Sequence, residues 1–433
     1  MSPGDLLGPP LRGRTFLFLQ GPSSPLFARI AAHLDKLGHR CLRVNLCAGD
    51  WVFWRRQGGI NYRGRLADWP AFIAKLMDTE GVGGIVLLGE ERPHHLAAAE
   101  AAKARGIPVY AVEMGYLRPD WIRIERDGSG YHSHFPTDPA VILKAAAGLP
   151  EPDLKVQHYT QSFLADAVYD LLFNLPNVFL RFLYPHYRWH AIFHPLAEYA
   201  GWVARLLQAR GRARRRMMTL QRIHDARDPY FVFPLQLETD YQIRAYSNFR
   251  SQRDAIALVI ESFAANAAPD ARLLFKVHPL DNGLIPWEKE IAAHARRKGI
   301  ADRVHFVDGG NLARMIMLSA GVVTINSTAG IVGLQRGKPV KALGVAIFDI
   351  PGLTDPGPLD RFWREGAAPD PELVDAFLRL IAATLHVRGN FYSWAGVEAG
   401  AEAIARRLHE GRVNEPGGFV SVPPRMRPVD AAP

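Results

Sequence analysis

The sequence predicts an α/β protein of two domains, each built on a parallel sheet, with a helical, arginine-rich insert between them. Three observations predict it. Short apolar runs alternate with helix-period stretches from residue 15 to residue 113, and again from 230 to 343. Between 146 and 222 that alternation stops, and aromatic residues, leucine, histidine and arginine interleave. The chain has 433 residues, more than one ordinary hydrophobic core accommodates.

The elements follow in order. Residues 15–20 (Thr-Phe-Leu-Phe-Leu-Gln) read as a buried strand, and Gly21-Pro22-Ser23-Ser24-Pro25 as the loop after it. A helix over 26–37 stops at Gly38, and 40–46 is a second strand. Helix 70–79, strand 84–88, helix 94–105 and strand 108–113 complete the first domain, expected over 1–145. In the insert, 146–222, Pro176, Pro185 and Pro195 divide the chain into short helices. The second domain, 223–390, carries strands at 230–233, 273–277, 304–307, 321–325 and 340–343, with helices at 246–264, 287–298, 328–335 and 371–385. A helix within 391–411 is placed to pack back, and the Pro/Gly-rich residues 412–433 read as a disordered tail. Two Rossmann-like α/β domains facing a central cleft form the GT-B arrangement, in which ligands bind beyond the carboxyl ends of the strands.

Composition narrows the classes. Apolar content of 48% and charged content of 22% belong to a folded globular chain. Net charge is +9, and six arginines fall between Arg205 and Arg216, beside the aromatic stretch 179–202. Such a cluster suits an anionic lipid surface, or else a solvated helix face; no nucleic-acid-binding motif accompanies it. Two cysteines, Cys41 and Cys47, supply neither a disulfide framework nor a zinc spacing. The N-terminus lacks the pattern of a secretory signal, and no run reaches the length of a membrane span, so a cytoplasmic, soluble or peripheral protein is expected.

Three strand-end motifs carry chemistry. In Phe275-Lys276-Val277-His278-Pro279, Pro279 biases His278 to extended backbone, and a histidine there can donate to a phosphate oxygen or merely satisfy a loop carbonyl. In Thr324-Ile325-Asn326-Ser327-Thr328-Ala329-Gly330, hydroxyls and an amide precede a helix, as an anion site or as simple N-caps. There, small Ala329 and Gly330 would let a phosphate come close. No Asp-x-Asp metal motif stands at a strand end, which favours a nucleoside monophosphate leaving group, hence a CMP-sugar, over a diphosphate that needs a divalent cation. Absence of a Walker A or GxGxxG fingerprint removes support from ATPase and NAD readings. In Val112-Glu113-Met114-Gly115-Tyr116-Leu117-Arg118-Pro119-Asp120, Glu113 can serve as base or nucleophile and Arg118 can bind a sugar carboxylate. The alternative is that Glu113 pairs with Arg118 and Asp120 caps a turn. Gln20 and Gly21, together with Gln236, Asp240, Gln242 and Arg244, follow strands where substrate contacts are expected, as do Glu90, Arg92 and His94.

Taken together, FLQGP at 18–22, GEERPHH at 89–95, VEMGYLRPDWIRIE at 112–125, FPLQLETDYQIRAYS at 233–247, FKVHPLDNG at 275–283, TINSTAGIVGLQRGKPVKALG at 324–344 and IFDIPGLT at 347–354 resemble the capsule polysaccharide biosynthesis family of the KpsS/LipB type. The resemblance covers most of the chain. It implies a retaining β-Kdo transferase that moves Kdo from CMP-Kdo to a (lyso)phosphatidylglycerol acceptor, on the inner face of the cytoplasmic membrane and beside other capsule assembly proteins. From the missing motifs, no metal or other cofactor and no nucleic-acid partner is expected. Retention implies a double displacement through a carboxylate. By position, His278 matches the motif that contacts the CMP phosphate, and Ser327 and Thr328 match the phosphate-side hydroxyls. Glu113 stands where related enzymes carry an acidic pair; Met114 replaces the second member, which makes Glu113 the first candidate nucleophile and Asp120 the second. Other nucleotide sugars, or a lipid-binding scaffold without catalysis, are the alternatives.

Overall fold

The computed structural model describes residues 13–415 apart from 161, 190–191, 239–242 and 244–246. The described strands are β1 (Thr15–Phe18), β2 (Arg40–Asn45), β3 (Gly59–Asn61), β4 (Val82–Leu88), β5 (Val109–Met114), β6 (Trp121–Arg126), β7 (Tyr230–Pro234), β8 (Arg272–Lys276), β9 (Val304–Val307), β10 (Gly321–Thr324), β11 (Val340–Ala342) and β12 (His386–Arg388). They form two sheets, ordered β12-β6-β5-β4-β1-β2-β3 and β11-β10-β7-β8-β9. The chain divides into two compact units: 13–135, 148–189 and 378–415 in the first, 136–147 and 192–377 in the second. Both units are mixed α/β, as their alternating patterns predict.

The first sheet is parallel from β3 to β5, and β6 and β12 extend it antiparallel. Its inner strands bury both faces, which is why they read as unbroken apolar runs. Successive side chains point to opposite faces. Phe16, Phe18 and Val86 therefore join the cluster formed with the helices Leu26–Lys36 and Trp394–Glu410. Leu17, Leu19, Ile85 and Leu87 join the other face, under the helices Trp69–Glu80 and Pro93–Lys103. The C-terminal helix is tied to the first one by Glu398, which accepts from Arg29 Nε at 2.7 Å and contacts His33 Nε2 at 2.8 Å. This unit thus takes its last strand and last helix from the final forty residues of the described chain.

The second sheet is parallel throughout. Phe231, Phe233, Leu273 and Phe275 pack with the Gln252–Asn266 and Trp287–Arg297 helices into one core. The helix expected from residue 246 begins at Gln252, because Ser251 and Asp254 form a reciprocal capping box there.

Residues 146–222 do not form a body of their own. The Phe163–Phe179 helix belongs to the first unit, where Gly49 N donates to Asn177 Oδ1 at 2.7 Å and Phe53 stacks on Phe173. Pro176 lies inside this helix rather than dividing it; it falls in the last turn, where one lost hydrogen bond interrupts little. The Pro195–Leu207 and Ala209–Ala226 helices belong to the second unit. Three arginines of the basic cluster are spent there. Arg205 and Arg212 reach the two oxygens of Asp308 at 2.8 and 2.9 Å, and Arg216 Nη1 donates to the Asp308 carbonyl at 3.4 Å. Among the described residues no helix is long and apolar enough to cross a membrane. Of the expected tail, residues 416–433 lie outside the described residues.

Candidate functional site

In the second unit β7 lies between β8 and β10. The loops that follow β8 and β10 are therefore two strand spacings apart, about 10 Å, along one sheet edge. His278, two residues past the end of β8, is half-buried, and its Nδ1 accepts from Leu280 N at 3.1 Å. A ring nitrogen that accepts is unprotonated, so the neutral imidazole carries its proton on Nε2. Pro279 is exposed. Lys276 is only 3% exposed, and its Nζ donates to the Val277 carbonyl at 3.1 Å. Burial lowers its pKa, against the pull of Asp308.

At the end of β10, Asn326 is buried against Gln236. Gln236 Nε2 donates to Asn326 Oδ1 at 2.8 Å, and Asn326 N donates to Gln236 Oε1 at 3.3 Å. Gln236 thus shapes this loop from the end of β7 rather than presenting itself to a substrate. Ser327 and Thr328 are half-buried at the start of the Ala329–Gln335 helix. Ser327 Oγ accepts from Ala329 N at 3.3 Å, which leaves its hydroxyl proton to donate. Thr328 Oγ1 makes no hydrogen bond among the described residues. Gly330 is small for a reason other than phosphate approach, since a β-carbon there would overlap the Phe348 ring. Asp240, Gln242 and Arg244 lie outside the described residues.

In the first unit Glu113, next to last in β5, lies beside Arg123 of β6, its partner in the antiparallel register. The two form an ion pair, so the expected partner Arg118 is replaced by a residue one strand away. Glu113 is 29% exposed and Arg123 is 2% exposed, which puts the carboxylate at the surface and the guanidinium beneath it. Arg123 also reaches Glu125 at 3.1 Å and contacts the Tyr116 hydroxyl. Gly89, at φ 59°, closes over the same carboxylate; a β-carbon there would stand 3.2 Å from Glu113 Oε1. Arg118 is exposed and makes no ion pair among the described residues.

Three expectations here need correction. Asp120 is buried, with its Oδ2 accepting from Tyr159 N at 2.9 Å and its Oδ1 from Asn390 Nδ2 at 3.4 Å. It joins three segments, and both of its oxygens are engaged in doing so. Gln20 has no exposed surface; its Nε2 donates to Asp50 at 3.1 Å and its Oε1 accepts from Arg92 at 2.6 Å. Gly21 makes room for Phe27, whose ring lies 2.6 Å from a β-carbon placed there. Gln20 and Asp120 thus tie neighbouring segments together, and Gly21 lets Phe27 pack close.

Tyr116, Arg123 and His386 are site residues that the sequence reading missed. The alternation in Trp121-Ile122-Arg123-Ile124-Glu125 was the available signal, since it puts Arg123 and Glu125 on one strand face. Glu90 was weighed only as one of several strand-end residues. It is buried, with Ser129 N donating to it at 3.3 Å; burial, then the charge of Glu125, pushes its carboxyl up to about 8. The folded protein therefore keeps a proton that an unfolded carboxyl releases near 4.5, and stability falls as pH rises from there to about 8. Glu90→Gln is expected to flatten that fall in melting temperature, measured by calorimetry from pH 5 to 8. An unchanged slope would assign the proton to another group.

Apart from these edges, a groove of about 1020 Å³ runs between the Ala209–Ala226 and Leu312–Leu318 helices of the second unit. Met217, Leu220, Ile223, Met315 and Leu318 supply its apolar lining, and Arg214, Arg227 and Arg314 stand exposed around it.

Residues 83–392 match the family described as "Capsule polysaccharide biosynthesis protein". The chain is 32% identical to the capsule polysaccharide export protein KpsS of Escherichia coli, over 90% of this chain and 100% of that protein. It is 30% identical to the capsule polysaccharide modification protein LipB of Neisseria meningitidis serogroup B, over 87% of this chain and 91% of that protein. Among solved structures it is similar to KpsC, beta Kdo 2,7 transferase, of Thermosulfurimonas dismutans, with TM-score 0.43 and 14% identity over 91% of this chain and 98% of that one. The family match spans well over half of the sequence, and a relative above 30% identity aligns along its whole length: the chain belongs to the capsule polysaccharide biosynthesis protein family.

Proposed function

We propose that this chain is a GT-B glycosyltransferase of capsule polysaccharide biosynthesis, a retaining β-Kdo transferase that moves Kdo from CMP-Kdo to a (lyso)phosphatidylglycerol acceptor. The observation that carries the reading is the donor set on one sheet edge, His278 with its proton on Nε2 and the Ser327 and Thr328 hydroxyls. Neutral and hydroxyl donors of this kind suit one phosphate monoester leaving group. Family membership supports the capsule context, and the motif resemblance supports Kdo as the sugar.

In the first displacement the Glu113 carboxylate attacks the anomeric carbon, and the bond to the CMP oxygen breaks with its electron pair leaving on the phosphate. His278 Nε2–H, Ser327 and Thr328 stabilise the charge that develops there. Arg118, exposed and unpaired among the described residues, takes the sugar carboxylate in bidentate fashion. In the second displacement the acceptor hydroxyl passes its proton to solvent water as it attacks the same carbon from the face CMP left, and Glu113 departs as the free carboxylate. Two inversions give retention, and the scheme needs no divalent cation or other cofactor. A thermal-shift series with CMP, UDP and GDP, followed by CMP release from CMP-Kdo, tests the reading. Stabilisation by CMP alone is expected, and stabilisation by UDP but not CMP would transfer the chain to another nucleotide sugar.

We place the enzyme on the inner face of the cytoplasmic membrane, near other capsule assembly proteins. The groove beside Ala209–Ala226 supports this placement. Met217 and Leu318 are 65% and 56% exposed next to three exposed arginines, a pairing of apolar and cationic surface that fits anionic lipid. Sedimentation with phosphatidylglycerol vesicles is expected, with phosphatidylcholine vesicles left in suspension, and the charge reversals Arg214→Glu and Arg314→Glu should weaken it several-fold at constant melting temperature. Equal sedimentation of the variants would remove this surface from the proposal.

A further inference from the structure

We propose that His386 is a positioning residue for Glu113, acting through Tyr116 and Arg123; the proposal rests on the reading of Glu113 as nucleophile. Glu113, Arg123 and His386 stand opposite one another on three neighbouring strands. Glu113 pairs with Arg123 in the β5–β6 register, and Arg123 pairs with His386 in the β6–β12 register. Residues directly opposite across antiparallel strands share a sheet face, so carboxylate, guanidinium and imidazole form one lateral row. The row joins a strand end near residue 113 to a three-residue strand more than 270 positions later.

Each joint in this row has one geometry. Arg123 bridges Glu113 and Glu125, and its Cζ lies 4.3 Å from the centroid of the Tyr116 ring, whose hydroxyl it also contacts. Tyr116 N donates to His386 Nε2 at 2.8 Å, and the two rings meet edge to face at 5.7 Å. His386 Nδ1 stands 2.7 Å from the Ile381 carbonyl, which only accepts. The ring therefore donates from Nδ1 and accepts at Nε2, and one neutral tautomer alone satisfies both neighbours. Burial, with the charges of Arg123, Arg407 and Arg118, lowers the His386 pKa to about 3, so that tautomer persists at physiological pH.

What the imidazole fixes is the backbone of Tyr116, three residues after Glu113 and two before Arg118. Gly115 N donates to the Trp121 carbonyl at 2.9 Å on the other side of the same turn. The turn is thus held at Gly115 by its own hairpin and at Tyr116 by β12. A shift of Tyr116 would carry its ring away from Arg123 and release one side of the clamp on the carboxylate. An apolar residue of imidazole size would fill the space but leave Tyr116 N without an acceptor, and a buried unpaired donor is costly.

Two amide substitutions separate the halves of this role. His386→Gln can put an oxygen where Nε2 stands and keep the acceptor for Tyr116. His386→Asn can put an NH2 where Nδ1 stands and keep only the donor to Ile381. With CMP-Kdo, His386→Asn is expected to lower kcat by about 10- to 100-fold with KM changed by less than about threefold, the signature of a misplaced reacting group. His386→Gln should recover most of kcat. Tyr116→Phe, which keeps the backbone bond and removes the hydroxyl on Arg123, should lower kcat in the same direction. Equal kcat in the two amide variants overturns the proposal, as does a loss confined to melting temperature. Crystal structures of the two variants give a reading independent of turnover: a Glu113 carboxylate displaced by about 1 Å in His386→Asn alone is expected, and identical positions overturn the proposal. The assignment of Glu113 fails on a different result, full activity in Glu113→Gln, whatever the His386 variants show.

Discussion

Glu113→Gln is expected to lower CMP-Kdo turnover by about 10⁴-fold or more, the range for losing a covalent nucleophile. The amide has nearly the same shape, so packing over Gly89 is kept, and Arg123 retains Glu125 as its buried partner. Because the Glu113 side chain is partly exposed, the melting temperature should move by no more than a few degrees. CMP affinity should be unchanged, since the phosphate donors belong to the other unit. Two further results should accompany the loss. A mass increase of one Kdo residue on the peptide that contains Glu113 should be trapped when wild-type enzyme meets donor without acceptor. Glu113→Ala with added azide should regain turnover, with azide attacking the anomeric carbon and the product inverted relative to the natural one. Retention of activity within tenfold in Glu113→Gln would remove this carboxylate from the bond-forming step.

Much of the fold was legible because it is local. Phe16-Leu17-Phe18-Leu19 is apolar on both faces, and only a strand buried on both sides needs that. The first helix ends before Gly38 as expected, whereas the helix expected from 246 starts at Gln252, behind the capping box of Ser251 and Asp254. The first unit's final strand and helix were harder. His386-Val387-Arg388 is too short for a periodic signal, and its place beside β6 is set by pairing over more than 250 residues. The site shows the same division. His278, Ser327 and Thr328 stand out in the sequence because a polar switch follows an apolar run at a strand end. Gln20, Asp120 and Gly330 carry the same local signature, yet packing claims them: Asp50 and Arg92 around Gln20, Tyr159 and Asn390 around Asp120, the Phe348 ring over Gly330. Arg205 and Arg212 were read as surface charge and are consumed by Asp308, a partner about a hundred residues away that no local pattern announces.

His278→Ala is expected to lower the rate of CMP release by about 10²- to 10³-fold and to abolish most of the stabilisation by CMP. The cation and the donors at this edge differ in how accessible they are. Lys276 carries the formal charge, but it is 3% exposed, donates to Val277 O and is pushed toward the neutral form by burial. It contributes to the frame around β8 more than to a ligand, and Lys276→Met should cost stability before it costs CMP affinity. Ser327 and Thr328 are neutral and each replaceable by water at modest cost. His278 differs from all three, because Leu280 N donates to its Nδ1 and so leaves the proton of the neutral ring on Nε2. Pro279 holds the backbone at that point, so His278→Ala leaves the loop in place and removes the donor alone. His278→Gln, whose amide can return one donor near Nε2, should recover part of the CMP affinity and part of the rate, since its N–H can still donate to the departing phosphate but from a less rigid side chain. Calorimetric titration of CMP with single-turnover release measures both quantities. Wild-type CMP affinity in His278→Ala would move the phosphate away from this edge and would take the monophosphate argument, and with it the CMP-sugar, down together.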